Sequence, residues 1–65
     1  MTISKPKLEL AMARKKMNKS QLADAVGVSR NRIYVILGQK NATPTAVGRI
    51  AKALGVDVTE IIEDI

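Results

Sequence analysis

The sequence predicts an all-α fold, one compact domain of five short helices. Three observations carry this expectation. Apolar residues recur at three- and four-residue intervals along most of the 65 residues. Ser4, Asn18, Ser29, Thr43 and Asp57 each stand just ahead of such a segment, where helices take their N-caps. Gly27, Gly38 and Gly55 stand just past a segment, where glycine adopts the backbone that closes a helix. Residues 1–65 suffice for a single domain, and a chain of this size buries only about 60% of its extended surface, so the core is small.

The first helix is expected to start after Ser4, with Pro6 tolerated in its first turn and Ile3 stapled to Leu8. Leu8, Ala11, Met12 and the stem of Lys15 fall on one face. Arg14, Lys15 and Lys16 crowd its end, where cations complement the helix dipole or can contact phosphate. The second helix spans 19–26. Asn18 and Gln21 form a variant capping box, Met17 staples to Leu22, and Gly27 closes the helix. Ser29 caps a third helix over 30–37, stapled by Val28 and Ile33. By composition alone, the run from Ile33 to Leu37 reads as a buried strand; the cap and the stop at Gly38 argue for helix. Thr43 caps a fourth helix with Pro44 at its first position. Val47, Ile50, Ala51 and Leu54 share its buried face, and Gly55 ends it. A fifth helix is expected after Asp57, with Glu60 completing a capping box and Val56 stapled to Ile61. Val58, Ile61, Ile62 and Ile65 would form one stripe on it.

Only three or four residues separate the second and third helices, the spacing of a helix-turn-helix. The stretch from Asn18 to Gly38 resembles the helix-turn-helix of the XRE family, which includes the lambdoid phage repressors and Cro. Leu22-Ala23 resembles the family's Leu-Ala pair, Gly27 its turn glycine, and Val26, Val28, Ile33 and Ile36 its buried positions. Ala51, Leu54, Gly55 and Val56 resemble its closing AxxLGV signature. The likeness runs from Leu8 to Ile62 and implies a five-helix, lambda-repressor-like DNA-binding domain whose second and third helices form the motif. The chain departs from the family at Met12, Lys19 and Leu37, where Arg, Gln and Glu are frequent; the family's usual buried ion pair and one usual phosphate contact are altered there.

Charge is divided along the chain. All 11 Lys and Arg lie between Lys5 and Lys52, whereas the acids Asp57, Glu60, Glu63 and Asp64 crowd the end. Such a body suits a polyanion or simply keeps a small protein dissolved; beside a helix-turn-helix the first is favoured. The chain has no Cys and no His, which excludes disulfides, thiolate chemistry, an imidazole base and the usual zinc ligand sets. No cofactor, metal or small-molecule ligand is expected. There is no long apolar run and no leader-like N-terminus, so a cytoplasmic protein is expected.

At about 100° per residue, burying Ile33 and Ile36 turns Asn31 outward, with Tyr34 and Val35 beside it and Arg30 at the rim. These four are the expected base readers. Arg30 can donate twice to guanine, Asn31 can pair with adenine, Val35 can meet a thymine methyl, and Tyr34 can reach a phosphate or sugar. The resemblance places Arg30, Asn31 and Val35 at the family's usual base-reading positions. Each also has a plainer role, as solvated surface or as packing for neighbouring Lys and Arg stems. Expected phosphate contacts are Asn18, Lys19 and Ser20 at the start of the second helix, Ser29 and Arg32 on the third, and Gln39, Lys40, Asn41 and Thr43 beyond it. Asn18, Ser29 and Thr43 are first of all caps.

The expected function is sequence-specific binding of double-stranded DNA, as a transcriptional repressor that occupies a near-palindromic operator as a homodimer. Val58, Ile62 and Ile65 are the expected dimer interface, with Leu37 as an alternative if it is exposed. A protein-binding helical module, such as an antitoxin-like partner with secondary DNA binding, is the alternative; it is expected to need a toxin-binding extension for which no residues are spare. An enzyme is not expected: Asp57 and Glu60 are explained as caps and no Gly-rich phosphate loop occurs.

Overall fold

A computed structural model describes residues 1–39 and 41–63. Among these the chain forms four α-helices and one 3-10 turn: α1 (Lys5–Lys15), α2 (Lys19–Val26), α3 (Arg30–Gly38), α4 (Pro44–Leu54) and the turn Val58–Glu60.

Each helix begins where a polar side chain satisfies an orphan backbone donor. Ser4 Oγ accepts from Lys7 N at 3.4 Å. Asn18 and Gln21 form the reciprocal box, with Gln21 N donating to Asn18 Oδ1 at 2.8 Å and Asn18 N to Gln21 Oε1 at 2.9 Å. Ser29 Oγ accepts from Arg32 N at 3.1 Å, and Thr43 Oγ1 from Ala46 N at 3.2 Å. α2 and α4 end on glycines in the left-handed region, Gly27 at φ 90° and Gly55 at φ 67°. α1 ends on Lys16, a non-glycine residue at φ 55°, whose N–H bonds back to Ala13 O. α3 includes Gly38, one residue beyond the expected end.

α2 packs against α3 and α4, and α4 also supports α1 and the 3-10 turn. Leu22, Ile33, Val47, Ile50, Leu54 and Ile61 are completely buried at the centre. Each contributes about 1.5–3 kcal/mol of burial free energy. Ile3, Leu8, Ala11, Met12, Ala23, Ile36, Leu37, Ala42 and Ala51 complete the core. Met12 and Leu37, the positions where the resembled family often carries a charged pair, are both buried and apolar here. Leu37 is therefore not the exposed apolar residue that an alternative dimer contact requires.

The fifth helix does not form. Ile61 N bonds to Val58 O at 3.1 Å, which closes a single 3-10 turn, and Ile61 then leaves helical geometry at φ −125°. Another pairing claims the backbone that a longer helix needs. Ser4 N donates to Ile61 O at 2.8 Å, Glu63 N donates to Thr2 O at 2.9 Å, and Ile3 and Ile62 form an antiparallel bridge. The Asp57–Glu60 box is nonetheless present, with Asp57 N donating to Glu60 Oε2 at 3.1 Å. Without the helix, the expected stripe is not a stripe. Ile61 is buried, Val58 and Ile62 are half-buried against the core, and Ile65 lies outside the described residues.

Candidate nucleic-acid interface

The surface presented by α3 follows from which of its residues the core consumes. Ile33, Ile36 and Leu37 face inward, and Arg30, Asn31, Arg32, Tyr34 and Val35 are all exposed. Tyr34 and Val35 keep 49% and 51% of their surface in solvent, so neither is used by the core. Exposed cations at the start of a helix are disfavoured by its dipole. Arg30 and Arg32 stand there all the same, and neither has an ion-pair partner among the described residues.

One flank of this face is built by α2. The Lys19 ammonium lies 5.6 Å from the centre of the Tyr34 ring, within cation–π range, and ties the first turn of α2 to the exposed side of α3. An open groove of about 540 Å³ runs beside this pair, lined by Glu9, Met12, Ala13, Met17, Asn18, Lys19, Ser20 and Tyr34. Glu9 is the one carboxylate in that lining. The Asn18 oxygen is committed to the cap, which leaves its amide nitrogen to donate outward. Caps at Ser29 and Thr43 likewise use oxygen lone pairs and leave the hydroxyl protons able to donate.

Beyond α3, Gln39, Asn41 and Thr43 are exposed; Thr43 shares a groove with Arg32, whereas Gln39 lines another with Thr2, Lys5 and Glu63. Lys40 lies outside the described residues. This loop is held from an unexpected side. Ala42 N donates to Met1 O at 2.7 Å, the Met1 amino group donates to Ala42 O at 3.2 Å, and the Ala42 side chain is buried. Sequence reading missed this anchor and the Lys19–Tyr34 contact, as well as Arg49, which shares a groove with Arg32 and Thr43. No local signal marks a pairing between positions 1 and 42.

Residues 7–65 match the family model of the Cro/C1-type helix-turn-helix DNA-binding domain. The chain belongs to this family. A Cro/C1-type domain binds DNA, and the exposed cations of α3 and α2 are in keeping with that partner. No curated protein sequence matches the chain significantly. Among solved structures, the chain is similar to part of the hydroxyethylphosphonate dioxygenase Y98F mutant, with a TM-score of 0.78 and 30% sequence identity. The match covers 98% of this chain and only 14% of that one. Among the described residues no helix is long and apolar enough to cross a membrane.

Proposed function

We propose that the protein is a sequence-specific transcriptional regulator, a repressor, in which α2 and α3 form the helix-turn-helix and α3 enters the major groove of duplex DNA. The observation that carries this is the division of α3. Its inner face is wholly used by the core, and its outer face offers Arg30, Asn31, Tyr34 and Val35, a set that can donate to guanine, pair with adenine and meet a thymine methyl. The first turn of α2, with Asn18, Lys19 and Ser20, holds one strand's backbone, and Thr43 lies on the other side of α3, beside Arg32.

One such domain reaches too few base pairs for high selectivity, so the working form is a homodimer on an inverted repeat. Recognition helices in such dimers sit about 34–36 Å apart. Val58 and Ile62, each half-buried, are the apolar residues left at the C-terminal end for the partner copy. Selection from a randomised duplex library, followed by anisotropy titration and sedimentation, tests this. Enrichment of an inverted repeat bound by a dimer is expected. Recovery of unenriched sequence, with no binding above that of random duplex, refutes it.

A further inference from the structure

We infer that Arg49 of α4 joins Arg32 of α3 in a second phosphodiester-binding groove, which grips the DNA strand opposite the one held by Lys19. This rests on the proposed function and extends it to Arg49, which the sequence reading did not mark, beside Arg32 and Thr43, which it did.

The groove holds about 190 Å³ between the α2–α3 turn, α3 and the first two turns of α4. Its floor is apolar, from Val26, Val28 and Ile36, and its rim carries Arg32, Thr45 and Arg49. No carboxylate lines it. Both arginines are exposed, and neither makes an ion pair or hydrogen bond among the described residues, although Arg14 elsewhere on the surface has found Glu60 at 3.6 Å. Two like charges facing one small groove repel each other, and a shared anion removes that cost. Guanidinium groups are also suited to phosphate, which they can grip with paired donors.

Position decides which anion. Viewed down α3 from Asn31, Tyr34 lies to one side and Arg32 about 100° to the other. The Tyr34 side leads to Lys19 and the start of α2; the Arg32 side leads to α4. A helix seated in a major groove has one phosphate backbone on each flank. Lys19 with Tyr34 meets one of them, and Arg32 with Arg49 meets the other.

The test is operator and random-duplex affinity, across a salt series, for wild type, Arg32→Gln, Arg49→Gln, the double variant and Lys19→Ala. Each lost phosphate contact makes the log–log salt slope shallower by about 0.9, so the double variant shifts by about 1.8. Arg49→Gln should weaken operator and random duplex by the same factor, with melting temperature and sedimentation unchanged, and Arg49→Lys should retain the slope. If Arg49→Gln keeps the wild-type slope while Lys19→Ala flattens it, the second groove is refuted and DNA binding stands. If none of the variants changes a slope that stays steep, the phosphate contacts lie elsewhere and the second groove is refuted; if wild type binds neither operator nor random duplex, the proposed function fails with it. If Arg49→Gln converts a dimer to a monomer and leaves the slope intact, the groove takes the acidic C-terminal end of a second copy, which overturns the phosphodiester assignment.

Discussion

Removing Asn31 or Arg30 should separate fold from function more cleanly than any other change in this chain. Asn31 is exposed, and its side chain makes no hydrogen bond among the described residues. Surface substitutions of this kind lie within about 0.5 kcal/mol of neutral. Asn31→Ala also replaces a weak helix former with the best one, so the fold should gain a few tenths of a kcal/mol. Arg30 is the first residue of α3, where the positive end of the dipole disfavours a cation by about 0.3–1 kcal/mol. Arg30→Ala therefore should leave the melting temperature unchanged or raise it. On DNA the sign reverses. A bidentate contact discriminates between bases by about 1–3 kcal/mol, roughly 5- to 150-fold, because a wrong base leaves desolvated donors unpaired. The assay is paired: thermal melting, and affinity for the selected operator relative to a scrambled duplex. Each variant should melt no lower than wild type, lose about 5- to 150-fold in that ratio, and barely change on scrambled DNA. Wild-type ratios for both variants would refute the assignment of α3 as the reader. A melting temperature several degrees lower would refute the claim that these side chains carry no structural role.

Other outcomes follow from the same geometry. Lys19→Ala should weaken binding to every duplex alike, with a salt slope shallower by about one, whereas Tyr34→Phe keeps the ring beneath the ammonium and should leave that slope unchanged in the same titrations. Gly27→Ala and Gly55→Ala each force an L-residue into the left-handed region and should cost about 1–2 kcal/mol in urea denaturation. The two costs should be similar: nothing lies within 4 Å of a methyl at Gly27, and at Gly55 it would meet, at 3.2 Å, only the flexible end of the exposed Lys15 side chain, which can move aside. The Asp57 carboxyl is held below its ordinary value by the hydrogen bond from the Thr59 side chain and then by that from the Thr59 backbone. A depressed folded pKa stabilises the fold at pH above the unfolded value, about 3.9, and that contribution disappears as pH falls through the folded value. The melting gap between wild type and Asp57→Ala should therefore be constant near neutrality and close in acid; a gap that widens in acid contradicts the cap's role.

The boundaries of α1 to α4 were legible because each depends on chemistry within a few residues. Asn18 and Gln21 bond each other, Gly27 sits where a Cβ is strained, and Thr43 precedes Pro44 at a position that needs no N–H. The outward face of α3 was legible for the same reason: once Ile33 and Ile36 are buried, helical geometry leaves no choice about Asn31. The fifth helix failed because its local signals were true but incomplete. Asp57 caps, Glu60 closes the box, and Ile61 is buried as its staple requires, yet these acts need only one turn.

The fate of residues 61–63 was decided by residues 2–4, which lie nearly sixty positions away and carry no pattern that announces a partner. The same remote segment explains why the region beyond α3 was harder to read than the α2 flank. Lys19 and Tyr34 are set by two helices joined through one short turn. Gln39 and Asn41 instead sit in a loop whose neighbour Ala42 is fixed by Met1, and Met1 belongs to the segment whose next residues pair with Ile61 to Glu63. The N-terminal segment thus joins two regions that the sequence presents as unrelated, the loop beside the DNA-facing helix and the end where a second copy is proposed to pack. Any change that loosens residues 1–3 acts on both at once, so their effects on DNA affinity and on dimerisation should not be separable by mutation there. Arg30 and Asn31, which stand outside this linkage, are the positions where specificity can be altered alone.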